Sequence, residues 1–305
     1  MAKILISGGS GLVGKNLTAE LCKKGHDVIW LSRRIIADAP VPVIPMQTPL
    51  STDDLERLKD VSVVIQLAGA GIVAKAWTDA YKRELRESRV QSSEWLGNCL
   101  RIAGVTPRVW IGASAIGYYG STISDDVCDE TAASGDDFMA RLCQDWEQAQ
   151  LNHAVSVERM VLFRIGIVLS SHGGAYPKMA LPVKLGVGAV LGNGAQYFSW
   201  IHEHDLLRLF LVAMEDNSWK GIYNAVSPGV VTNRTFTQEL AKTMGRRIWL
   251  PPIPSGLLKL VLGERYLTVC RGLKISSAKI HGAGFTFRYP RVTEALMSLQ
   301  DSAAR

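Results

Sequence analysis

The segment KILISGGSGLVGKNLTAELCKKG, residues 3–25, constrains the fold more than any other stretch of this chain. A short apolar run leads into three glycines, Gly8, Gly11 and Gly14, and then into residues whose apolar positions recur about every 3.6 places. That order reads as strand, tight turn and helix. One glycine permits positive φ at the turn, the next lets backbone amides approach a pyrophosphate, and the third lets the helix sit close on the strand. The helix N-terminus then turns its partial positive charge toward the phosphates. Gly8, Ser10, Gly11, Leu12, Val13 and Gly14 are therefore the expected cradle of a dinucleotide.

From residue 3 to about 169, short apolar runs alternate with longer amphipathic ones, the pattern of a parallel sheet with crossover helices. The expected strands are KILIS, DVIWLS, PVIPM, VSVVIQLA, RVWIGAS and ERMVLFRIGIVL, and LVGKNLTAELCKKG and TDAYKRELRESRVQSSEWLGNCLRIAG are helices. Beyond residue 170 the alternation weakens. SSHGGAYPKMALPVKLGVGAVLGNGAQ reads as loop with one short helix, and RTFTQELAKTMG, SGLLKLVLGERYLTVCRGL and RVTEALMSLQ read as helices. The expectation is an α/β chain. A doubly wound parallel Rossmann sheet takes residues 1–169 with returning elements around 198–226, and a smaller C-terminal substrate lobe takes 170–197 and 227–300.

DVIWLS ends in Ser32, Arg33 and Arg34, where a site selecting NAD would carry a carboxylate for the ribose 2′-hydroxyl. A guanidinium pairs with a 2′-phosphate and a carboxylate repels it, so the expected cofactor is NADP. The net charge of +6 is scattered, with no basic stripe, and nucleic acid is not an expected partner. Five cysteines form no C-x-x-C pair and read as reduced thiols, and no run of about 18 apolar residues occurs. The expectation is a cytoplasmic protein with no membrane partner and a small-molecule substrate. HEHD, residues 202–205, offers side chains of ligand type but no third element to complete a metal site, and Asp205 reads as helix-starting or structural. GASAI lacks the final glycine of a nucleophile elbow and the partners that would follow it.

With the first turn, QLAGAG at residues 66–71 and GASAIGYYG at 112–120, the chain resembles the extended short-chain dehydrogenase/reductases. More narrowly it is similar to an atypical subgroup, epimerase-family proteins labelled nucleotide-sugar epimerase-like or cell-division-inhibitor-like. ESRVQSSEWL, DDFMARLCQDWE, LFRIGIVLS, FSWIHEHDLLRLF, GIYNAVSP and GAGFTFRYPRVTEALMSL carry the resemblance through nearly the whole length. It implies that Leu67, Ala68 and Gly69 touch cofactor, and that Arg89 and Arg164 are cofactor-binding. Arg164 and Lys178 are also candidates for gripping an anionic substrate.

In the wider family a serine after the fifth strand and a Tyr-x-x-x-Lys pair on the next helix hold and protonate the substrate oxygen. Ser114 fits the serine if the segment is aligned on Tyr118; aligning on Tyr119 puts Ala115 there. On the helix, aligning Glu147 with the glutamate eight residues after the family's tyrosine puts Met139 and Cys143 where the pair belongs. A thioether has no acidic proton and a neutral thiol gives no charge support. If the chain is an oxidoreductase or epimerase-like enzyme, its acid is expected among Ser114, Tyr118 and Tyr119. The alternative is a non-catalytic NADP(H)-sensing or partner-binding protein.

Overall fold

The computed structural model describes residues 1–46 and 49–303. Five parallel strands, β1 (Lys3–Ser7), β2 (Asp27–Ser32), β3 (Val43–Pro45), β4 (Val61–Gln66) and β5 (Val109–Ala115), form the sheet's first part, joined by strands Met160–Ile165 and Gly221–Ala225. The seven lie in the order β3, β2, β1, β4, β5, Met160–Ile165, Gly221–Ala225. This is the doubly wound arrangement, with the order reversing beside β1. Both faces are covered, which is why the strands read as unbroken apolar runs. Ile4, Ile6, Trp30, Val63 and Phe163 belong to one buried cluster, and Leu5, Ile29, Leu31, Val64, Trp110 and Leu162 to another.

The register matters more than the order. Ser7 lies opposite both Leu31 and Gln66, so β1, β2 and β4 end together and open a crevice at their carboxyl ends. Farther along the sheet, Ser114 is the partner of Arg164, and Arg164 of Asn224. Three polar residues thus sit side by side on three adjoining strands.

Two expected elements are divided. ERMVLFRIGIVL is two strands, because the chain turns at Gly166, where an added Cβ would come 2.8 Å from the Ser199 carbonyl oxygen. Met160–Ile165 stays in the main sheet, while Ile167–Ser170 pairs with Trp200–His202 in a small separate one. SGLLKLVLGERYLTVCRGL holds a helix over Ser255–Leu262 that stops at Gly263, with φ of +58°, followed by a tighter turn and the short helix Leu267–Cys270. Leu169, Tyr176, Trp200, Phe236, Leu240 and Leu296 form a further core of their own.

HEHD opens the helix Glu203–Glu215. His202 is the cap, its Nδ1 accepting the His204 amide at 3.1 Å. Asp205 is structural: its carboxylate accepts the amides of Arg288 and Tyr289 at 2.8 and 2.9 Å and fastens the C-terminal segment. The His202 ring is buried against Tyr289, and burial lowers its pKa to about 4, opposed by Asp205 and assisted by His204 and Arg288. The unfolded chain therefore takes up a proton near pH 6.5 that the folded chain refuses until about 4. The stability from this group is complete above pH 6.5 and is lost as pH falls through that window, on the order of 3 kcal/mol in all. Urea unfolding at pH 7 and pH 4.5 should show a smaller acid loss in His202→Asn than in wild type; equal losses would contradict this.

Candidate functional site

A cleft of ≈580 Å³ lies at the carboxyl ends of β1, β2 and β4. Gly8, Ser10, Gly11, Ser32, Arg33, Arg34, Leu67, Ala68 and Gly69 line it, all of them candidates from the sequence. Gly8 has φ of +82°, and a Cβ there would lie 2.7 Å from the Ala68 amide nitrogen, so the turn and the end of β4 fit only without a side chain. Gly14, inside the helix α1 (Leu12–Lys23), leaves no room for a Cβ against the Gly8 carbonyl, which brings α1 onto the turn. Leu12 and Val13 sit half-buried in the first turn of α1, outside the cleft lining. Arg33 and Arg34 are exposed on the cleft wall, and neither forms an ion pair among the described residues.

The cleft fits a dinucleotide on its own evidence. At its floor the Ser7 hydroxyl is buried with no hydrogen-bond partner among the described residues, a polar atom that a ligand group would satisfy. Met46, Ile36, Ser88 and Ser92 also line the cleft, and sequence reasoning missed them as a lining. The only signal was the pair of serines one helical turn apart in ESRVQSSEWL.

Arg89 and Arg164 do not line this cleft. Arg89, on the helix Asp79–Ile102, is buried beneath Gly69 and spends its donors on the Leu85 and Ala70 carbonyls at 2.9 and 3.0 Å. Burial lowers its pKa to about 10. It props up the loop that follows β4.

Arg164 is the centre of a second, buried arrangement. Its Nε and Nη2 donate to the two oxygens of Glu147 at 2.8 and 2.9 Å, a bidentate pair. Its Nη1 donates to the Tyr119 hydroxyl at 3.0 Å, which itself donates to Asn224 Oδ1 at 2.7 Å. The Ser114 hydroxyl donates to Glu147 Oε1 at 2.6 Å. Burial alone would lower the Arg164 pKa; the hydrogen bonds and charge of Glu147 override it and hold the group more basic than usual. Burial pushes the Tyr119 phenol up, against the opposing pull of Arg164.

The helix Phe138–Leu151 carries Met139, Cys143 and Glu147 at i, i+4 and i+8, along one side. Asp137 caps it by accepting the Ala140 amide at 2.9 Å, and Gln150 ties it to β5 through the Ala113 carbonyl at 3.0 Å. A Cβ on Gly117, in the turn after β5, would meet Met139 Cε at 3.1 Å and Cys143 Sγ at 3.5 Å. The two residues standing where Tyr and Lys are expected therefore pack against the strand-end turn as an apolar wall. Burial raises the Cys143 thiol to about 12, with Glu147 adding to the shift, which favours the neutral thiol.

Tyr118 differs from the other two candidates. Ser114 and Tyr119 have each committed their one proton to a neighbour within the network. The Tyr118 hydroxyl forms no hydrogen bond with another described residue, and Arg164 Cζ lies 3.3 Å from the centre of its ring. Lys178 is exposed on the helix Tyr176–Lys184, which starts just after Gly174, itself beside Leu12. Among the described residues no group of three or more His, Cys, Asp or Glu side chains is placed to hold a metal ion, and no helix is long and apolar enough to cross a membrane.

Residues 4–225 match the family described as the NAD dependent epimerase/dehydratase family, and residues 253–299 match a domain of unknown function, DUF1731. The epimerase family protein Mb2239 of Mycobacterium bovis is 37% identical over 299 residues, covering 97% of this chain and 96% of that protein. The human epimerase family protein SDR39U1 is 31% identical over 303 residues, covering 97% and 99%. A crystal structure of human SDR39U1 (isoform 2) with NADPH superposes with a TM-score of 0.87 at 30% identity, over 98% of this chain and 99% of that one.

Proposed function

The chain belongs to the NAD dependent epimerase/dehydratase family, and from that membership we propose that it is an NADP(H)-dependent oxidoreductase of small carbonyl compounds whose acid is Tyr118. The observation that carries the reading is the contrast among three hydroxyls: Ser114 and Tyr119 are engaged, while the Tyr118 hydroxyl bonds to no other described residue and its ring lies on the guanidinium of Arg164. Tyr118 follows β5, the strand next to β4, whose end lines the cleft.

NADP(H) bound in the cleft supplies or takes up the hydride. The chain's own residues do the rest. The turn at Gly8 and Gly11, together with the N-terminus of α1, holds the diphosphate. Arg33 and Arg34 hold the 2′-phosphate by charge-assisted hydrogen bonds, a reading supported by the NADPH in the human relative's structure. Tyr118 donates a proton to the substrate oxygen, and Arg164 sets positive charge against the ring left anionic. Glu147 and Tyr119 keep Arg164 there. Lys178, at the start of the neighbouring helix, offers charge for an anionic substrate.

Calorimetric titration should show NADPH binding more tightly than NADH by roughly 1.5–3 kcal/mol, the worth of a hydrogen bond to a charged group. Arg33→Ala combined with Arg34→Ala should erase most of the difference. Equal affinities for the two cofactors would remove the 2′-phosphate assignment. Turnover is tested by following NADPH oxidation across a panel of aldehydes and ketones, including anionic ones. Tight NADPH binding with no turnover on any of them favours a non-catalytic sensor.

A further inference from the structure

Away from the cleft, several large apolar side chains are exposed. The helix Tyr176–Lys184 and the residue after it expose Leu181 and Leu185, and Val187 follows. Trp249, 70% exposed, is held against the same helix end by its indole N–H, which donates to the Gly186 carbonyl at 2.8 Å. The chain then runs through Ile253, which pairs with Leu191, into the helix Ser255–Leu262. That helix reads SGLLKLVL, yet only Leu258 is buried, while Leu257, Leu260 and Val261 face outward. Scattered single apolar residues are ordinary on a surface; a run of this kind beside an exposed tryptophan is not.

The same region is cationic. Arg234, Lys242, Arg246 and Arg247 share one depression of ≈620 Å³ that also contains Ile248 and has no acidic residue in its lining. Lys184 lies between Leu181 and Leu185, and Lys259 is in the exposed helix. Among the described residues none of these six cations forms an ion pair. Uncovered Leu, Val and Trp side chains next to unpaired Lys and Arg are what a headgroup layer of anionic phospholipids takes up: the apolar groups enter the acyl boundary, tryptophan sits at the interface, and the cations remain at the phosphates.

We propose that the face formed by Leu181–Val187 and Arg246–Trp249, joined where Trp249 bonds to Gly186, docks the protein on an anionic phospholipid bilayer as a peripheral protein. The sequence expectation of no membrane partner rested on the absence of a spanning segment, and a face lying on the surface needs none. None of the residues of this face lines the cleft at the carboxyl ends of β1, β2 and β4.

The test is co-sedimentation of the full chain with vesicles of phosphatidylcholine alone and with phosphatidylglycerol added. Wild type should partition into the anionic vesicles at least about tenfold better, and less so as salt rises. Each cation near such a surface contributes roughly fivefold, so Arg246→Ala with Arg247→Ala should weaken partition by about 25-fold. Leu185→Ser with Trp249→Ser should weaken it at every salt concentration. NADPH affinity should be unchanged in both variants, which shows that they are folded. No preference for anionic vesicles would overturn the proposal. So would finding that the same substitutions leave partition intact but dissociate a dimer, which would make the face a contact between copies of the chain.

Discussion

Replacing Glu147 with alanine should lower the folding stability by about 3–5 kcal/mol, the usual cost of removing one partner from a buried ion pair. The Arg164 and Glu147 side chains are only 3% and 5% exposed, so the guanidinium left behind cannot recover its hydration. The Ser114 hydroxyl loses its acceptor as well. The loss comes from stranding a charge and is not the net worth of the pair. Glu147→Leu combined with Arg164→Met should therefore recover much of it. Urea unfolding of the two variants decides the matter: a single-variant loss under about 1 kcal/mol would mean that Arg164 finds another acceptor or water.

The pair also shows where sequence reasoning reached its limit. The cleft was readable because its parts are local: a strand, three glycines and a helix within 25 residues, with Arg33 and Arg34 at the next strand end. The network was not. Glu147 served only as an alignment landmark, and Asn224 went unnoticed in GIYNAVSP, although a polar residue in an otherwise apolar strand was a signal. What joins them is the register that aligns Ser114, Arg164 and Asn224 on three strands far apart in the chain. For the same reason the hydrogen-bond partners of Arg89 and Arg164, expected as cofactor-binding, were not readable from the sequence. Their acceptors, Ala70 and Leu85 for one and Glu147 for the other, are identified only once the chain has folded. The turn at Gly166 was hidden because the apolar run continues through it, while the new strand pairs with Trp200–His202.

Tyr118→Phe should reduce kcat by about 10²- to 10⁴-fold, the range a positioned general acid supplies. The substitution keeps the ring on the Arg164 guanidinium and removes only the hydroxyl, which bonds to no other described residue, so folding should be little affected. Ser114→Ala and Tyr119→Phe act differently. Each breaks a bond inside the network, at 2.6 Å to Glu147 and at 2.7 Å to Asn224, and should lower stability more than Tyr118→Phe does. Their effect on kcat should be smaller, since neither hydroxyl has a proton to spare.

The most direct measurement is therefore kcat for NADPH-dependent reduction of one carbonyl substrate in wild type and these three variants, with the NADPH Kd of each measured alongside. The account predicts a selective collapse of kcat in Tyr118→Phe at unchanged NADPH Kd. Tyr118→Phe turnover within about threefold of wild type, or a larger kcat loss in Ser114→Ala or Tyr119→Phe at intact NADPH affinity, would contradict it.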